Sequence, residues 1–138
     1  MELDELISVL IAEHVQIKDG LETLQYRLAA KDFTSAKNVL SEVRGIFVRH
    51  IADEESQILR ILIDAYGVNG ANEAIEVFRQ HRPIYEVMKA IEHFSDLPAQ
   101  ELESKEAELR SLLDRHTKAE ENRIHPWTLS TYKMKHQR

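Results

Sequence analysis

The chain has 138 residues and a mass of 16.0 kDa, the size of one domain able to bury an ordinary core. It contains no cysteine, which excludes disulfides, thiolate catalysis and Cys-ligated metal sites, so any metal must be held by nitrogen and oxygen. With 24 acidic against 18 basic residues the formal charge is −6, and that sign disfavours a nucleic-acid partner, because phosphate contacts need clustered cations.

The opening MELDELISVL is acidic where a secretory signal carries lysine or arginine, and no apolar run approaches a membrane span. The expectation is a soluble, cytoplasmic protein without a membrane partner. Only four glycines and three prolines are present and strand-type alternation is missing, so the composition leans all-helical.

The first helix is expected from Leu3, its buried face carrying Leu3, Leu6, Leu10, Ile17, Leu21, Leu24 and Leu28 in a 3-4 alternation. His14 fills the slot missing from that series. Gly20 costs this helix up to about 1 kcal/mol relative to alanine without breaking its period, and the helix is expected to end near Lys31 and Asp32.

The second helix is placed after Thr34 or Ser35, either of which suits a cap, with Val39, Val43, Phe47, Ile58 and Ile61 inward. Between Phe47 and Ile58 the inward positions are His50 and Glu54. Gly67 is the expected stop and GVNGAN the loop. A third helix, Asn72 to His93, presents Ala74, Val77 or Phe78, His81, Tyr85, Met88 and Ile91.

FSDLPAQELE reads as a turn leading into a fourth helix, with Pro98 in its first turn. Its inward series is Leu102, Leu109, Leu113, His116, Glu120 and Ile124, and Pro126 is expected to help end it. Short connections between four long helices predict an antiparallel up-down-up-down bundle over residues 1–127, followed by a short basic tail, 128–138, that frays.

The two halves repeat. His14 precedes His50 by 36 residues, His81 precedes His116 by 35, and Glu54 precedes Glu120 by 66. Residues four apart on a helix lie within about 40° of each other, so HIADEE and HTKAEE each present an imidazole and a carboxylate to one point. The following residues, Glu55 and Glu121, fall about 140° from the histidine and are expected on the solvated surface.

A buried carboxylate without a charged partner is costly, and no lysine or arginine shares this seam. Two cations resolve the problem. If both glutamates bridge, each ion receives two histidines and two carboxylate oxygens, which leaves positions open for small molecules. Such ligands suit iron, manganese or zinc. The Glu-x-x-His signature of ferritin-like di-iron bundles is absent.

His14, HIADE, His81 and HTKAE, on four helices spanning nearly the whole chain, resemble the hemerythrin-like, or HHE cation-binding, family. The resemblance implies a four-helix bundle with two iron ions in its core, bridged by carboxylates, and it implies His14, His50, Glu54, His81, His116 and Glu120 as the metal ligands. The chain departs from oxygen-carrying hemerythrins, which have two histidines four apart on the third helix and typically H-x-x-x-x-D on the fourth. Here Val77 and Tyr85 flank His81 and the fourth helix has H-x-x-x-E. Three roles are open to Tyr85: a phenolate ligand, a hydrogen-bond donor behind the ligands, or a half-buried core residue. Pro83 removes a helix hydrogen bond beside the site and is expected to kink the chain.

The functional expectation is a di-iron protein that binds and reacts with peroxide, dioxygen or nitric oxide at open iron positions. The alternative is a non-enzymatic oxygen- or iron-binding module, a sensor or carrier; a homo-oligomer is compatible with either. His93, His125 and His136 fall outside the seam pattern and are expected on the surface, Met88 is expected as core filling, and Trp127 is expected to close the end of the bundle.

Overall fold

The apolar stripe that begins at Leu3 folds as one uninterrupted helix, α1 (Leu3–Ala29), in a computed structural model that describes residues 2–93 and 98–136. Lys31 in the left-handed region (φ 60°) reverses the chain, with Asp32 N–H donating to Arg27 O and Lys31 N–H to Leu28 O. The cap of the next helix is Asp32, whose side chain accepts from Ser35 N–H at 3.3 Å, rather than Thr34 or Ser35.

α2 (Phe33–Asp53) passes through a π-helical turn (Glu54–Ile58) into α3 (Leu59–Gly70). The stop expected at Gly67 is present as a break, with φ 75° and ψ 173°, a conformation that favours glycine. The inward series of α2 is Ala36, Leu40, Val43 and Phe47, with Val39 only partly buried. Beyond the π turn Leu62 is buried and Ile61 only partly so.

The third run is split into α4 (Asn72–Arg79) and α5 (His81–Glu92) at Gln80. Pro83, the third residue of α5, has no N–H to return to Arg79, and the helix breaks just there, as its place in the sequence predicts. Both Val77 and Phe78 are buried, and Ile84 is buried where Tyr85 was expected.

The expected turn before the fourth run falls on residues 94–97, outside the described residues. Pro98 is the N-cap of α6 (Ala99–Ala119), with its carbonyl accepting from Glu101 and Leu102. α6 passes through a second π turn (Glu120–Ile124) into α7 (His125–His136). Pro126 therefore does not end the helix. It sits in the first turn after the widened segment, where a missing N–H is tolerated. The expected fraying tail is helical to His136, with Thr128 and Thr131 buried and Thr131 hydrogen-bonded to Tyr66 at 2.9 Å.

The described residues thus form an all-helical, four-helix bundle with no strand, and none of their helices is long and apolar enough to cross a membrane. The interior is divided. One apolar cluster packs Ile17 to Leu28 of α1 against α2, α5 and α6 around Phe47, Met88 and Leu109. The other packs Leu3 to Leu10 against Ile58, Leu62, Phe78 and Ile124, with Trp127 stacked on Tyr66 at its edge, 5.3 Å between ring centroids. Every residue of the predicted polar seam lies between them.

Gly20 allows the close approach of α1 and α2, because a Cβ there would collide with Val43 Cγ2. Valine is stiff at χ1 and does not swing aside. Gly20→Ala is therefore expected to destabilise the fold by about 1 to 3 kcal/mol through overpacking, despite the better helix propensity of alanine; urea unfolding of the two proteins checks the sign.

Candidate metal centre

His14 of α1, His50 of α2, His81 of α5 and His116 of α6 all project into the layer between the apolar clusters. Glu54 and Glu120, the first residues of the two π turns, join them there with no exposed surface. Two groups result, His14, His50, Glu54 and Glu120 in one and Glu54, His81, His116 and Glu120 in the other, each able to offer four ligand atoms within 4.8 Å of one another. Both carboxylates belong to both groups.

The distances are short and converge. His50 Nε2 lies 3.1 Å and His81 Nε2 3.0 Å from Glu54 Oε1, while His116 Nε2 lies 2.8 Å and His14 Nε2 3.3 Å from Glu120 Oε1. His14 Nε2 and His50 Nε2 are 3.1 Å apart.

The opposite edge of each ring is fixed by a neighbour. His14 Nδ1–H donates to Glu121 (2.9 Å), His50 Nδ1–H to Glu13 (3.0 Å), His81 Nδ1–H to Glu55 (3.2 Å) and His116 Nδ1–H to Gln80 Oε1 (2.9 Å). Carboxylate and amide oxygens only accept, so the proton sits on Nδ1 and, in the neutral ring, Nε2 turns its lone pair to the centre. Such partners orient and strengthen imidazole ligands. They also repeat: the residues before His14 and His81 serve the second histidine of their own half, whereas the residues after Glu54 and Glu120 serve the first histidine of the other half. Only Glu13 against Gln80 breaks the correspondence.

Glu55 and Glu121 are accordingly not bystanders on the surface. Their side chains remain 51% and 34% exposed, yet each reaches an imidazole on a neighbouring helix. A residue on the flank of its own helix faces the flank of the next, which a single-helix projection does not show.

The electrostatics favour a cation. Burial opposes ionisation of Glu54, but the imidazoles of His125, His50 and His81 outweigh it and hold the carboxyl well below its usual range. Burial also lowers His50, and there Glu54 and Glu13 prevail and raise it. His14 is lowered by burial and by His50, and His116 is lowered to about 3 by burial and by His81. The ionic partners of Glu54 and Glu120 within 4 Å, among the described residues, are histidines alone. Glu54 Oε2, Glu120 Oε2 and His116 Nε2 are buried without a hydrogen-bond partner. Converging lone pairs and orphaned carboxylate oxygens in a layer without lysine or arginine are what a cation would satisfy.

His125 is the residue that sequence reasoning misplaced. Expected on the surface, it is only 2% exposed, with Nε2 3.5 Å from Glu54 Oε2 and 3.8 Å from Glu120 Oε2. The cause is the second π turn, in which His125 N–H bonds to the carbonyl of Glu120. On an α-helix five residues advance about 140° away from the starting face, whereas an i→i+5 bond brings the fifth residue back beneath the first. His93 is exposed as expected, Met88 is fully buried in the core, and the side chain of His136 lies outside the described residues. Tyr85 is half-buried against the apolar cluster, with Arg44 and Lys89 as its polar neighbours, and the bond to Tyr85, then the charge of Glu92, raises the Arg44 guanidinium. These contacts favour the core role for Tyr85.

Two grooves approach the centre. One of about 540 Å³ lies between α1 and α6, walled by Ile17, Leu21 and Leu113, and reaches His14 and Glu121. The other, about 460 Å³, reaches His81 and Glu55 past Phe78.

The Glu13 contact sets up a direct comparison. Glu13→Ala removes the acceptor of His50 and is expected to weaken metal affinity about 10- to 100-fold, while Glu13→Gln, which copies Gln80, is expected to retain most of it; competition against a chromogenic chelator measures both.

The chain matches no protein-family model, no curated protein and no solved structure.

Proposed function

We propose that this chain is a hemerythrin-like, HHE cation-binding protein: an antiparallel up-down-up-down bundle that holds two iron ions between His14, His50, Glu54, His81, His116 and Glu120. The open positions of that centre bind and react with a small oxidant or diatomic ligand, namely peroxide, dioxygen or nitric oxide. The observation that carries this reading is the sharing of Glu54 and Glu120 between two groups of two histidines and two glutamates. A carboxylate common to two groups is the arrangement that bridges two ions, and the repeated H-x-x-x-E pattern supplies it twice. The choice of iron rests on the family resemblance, since this ligand set suits manganese and zinc as well.

When bound, iron supplies Lewis acidity and electrons to the incoming molecule. The protein's own residues do the rest. Glu13, Glu55, Glu121 and Gln80 hold the imidazoles in place, and the α1–α6 groove gives a small molecule a path to His14. Expression in iron-replete medium followed by metal analysis, an optical spectrum and a peroxide-consumption assay tests the proposal. Substoichiometric iron, with manganese and zinc also absent, overturns it. Reversible spectral change without consumption of peroxide favours the non-enzymatic oxygen- or iron-binding module instead.

A further inference from the structure

The six ligands do not exhaust the polar groups of the buried layer. His125 is 2% exposed and neither ring nitrogen has a hydrogen-bond partner, while the carboxylate oxygens nearest to it, Glu54 Oε2 and Glu120 Oε2, are also buried and unpartnered. Four orphaned polar atoms in one place are rare in a native interior. The separations of 3.5 and 3.8 Å from His125 Nε2 to these oxygens are too long for hydrogen bonds. They are the spans expected of two ligands that share one ion through bonds of about 2.1 Å meeting at an obtuse angle. The His125 ring also stacks parallel to that of His14, at 5° and 6.0 Å between centroids.

The other half of the molecule has no equivalent. The residue 66 positions before His125 is Leu59, which occupies the same place after the first π turn and packs into the apolar cluster. An imidazole therefore stands on one side of the pseudo-twofold where the other side has an aliphatic chain.

We propose that His125 is a fifth imidazole ligand, binding a cation together with the second oxygens of Glu54 and Glu120, so that the two ions of the centre have unequal nitrogen ligation. This rests on the dinuclear reading of the same site. The decisive experiment needs no variant: the full chain, labelled with ¹⁵N in its histidine rings, is titrated with zinc chloride and its imidazole nitrogens are followed by NMR. Five of the seven histidines are expected to take on metal-bound Nε2 shifts, with exposed His93 unchanged as the internal control. If only four respond, His125 is not a ligand and the dinuclear reading stands without it. If none responds, the dinuclear reading fails and this inference fails with it. His125→Leu, which copies Leu59, then identifies the fifth signal: it is expected to abolish that resonance and to weaken binding of one ion about tenfold or more, and retention of both the signal and the affinity overturns the assignment.

Discussion

Stripping the bound metal with a strong chelator is expected to lower the melting temperature by on the order of 10 °C or more, because ligand at a thousandfold excess over its Kd contributes about 4 kcal/mol and each kcal/mol moves the midpoint of a domain this size by a few degrees. The physical source is the layer around Glu54 and Glu120. In the metal-free chain those carboxylates have only imidazoles for company, and their second oxygens have no partner. The converging nitrogens of His14 and His50 at 3.1 Å add to the cost when both rings are neutral. A cation removes all of these penalties together, and it does so only in the folded chain, where four helices bring the ligands to one level. Scanning calorimetry with and without chelator, at equal ionic strength, measures the difference. An unchanged midpoint, for protein loaded beforehand with iron, manganese or zinc, would sink the metal hypothesis altogether.

Glu54→Gln is expected to disable both metal positions at once, whereas His14→Ala is expected to disable one. Glu54 belongs to both four-residue groups, and His14 to the first alone. The amide keeps the shape and size of the carboxylate but loses its charge and its ability to bridge, so packing is preserved while ligation is lost. His14→Ala leaves Glu54, His81, His116 and Glu120 intact. Metal analysis after equilibrium dialysis should therefore give a graded series, with the wild type highest, His14→Ala intermediate and Glu54→Gln near zero. Against the metal-free wild type the fold is not expected to suffer in Glu54→Gln, since replacing a buried charge by a neutral isostere is often neutral or stabilising when the counter-charge is absent. Equal metal content in the two variants would show that the carboxylates do not act jointly.

The parts of this site that could be read from the sequence are those governed by the geometry of a single α-helix. His50 with Glu54, and His116 with Glu120, sit four apart, and His14 and His81 fill gaps in apolar series. Their convergence in one layer follows from four amphipathic helices each burying one face. Two kinds of feature were not legible. Contacts between helix flanks, such as Glu55 to His81 and Glu121 to His14, depend on which helix lies beside which. His125 depends on a local change of helical pitch at Glu120–Ile124, and 100° arithmetic turns it to the wrong side. A sequence signal existed in hindsight: His125 follows its glutamate by five residues, the separation that a π turn restores to one face. The same widened turn accounts for the helix that runs on past Pro126.

The polar layer also bears on how the chain chooses its alignment. Two oily compartments made chiefly of leucine, isoleucine and valine are forgiving, and helices packed by them alone can slide by a turn at modest cost. A one-turn slip of any helix here would strand a carboxylate or an imidazole in hydrocarbon, a penalty of several kcal/mol for an ion. The layer thus works as a ratchet tooth, selecting one longitudinal alignment of four rods out of several that hydrophobic packing would accept, and a cation bound there would lock that choice.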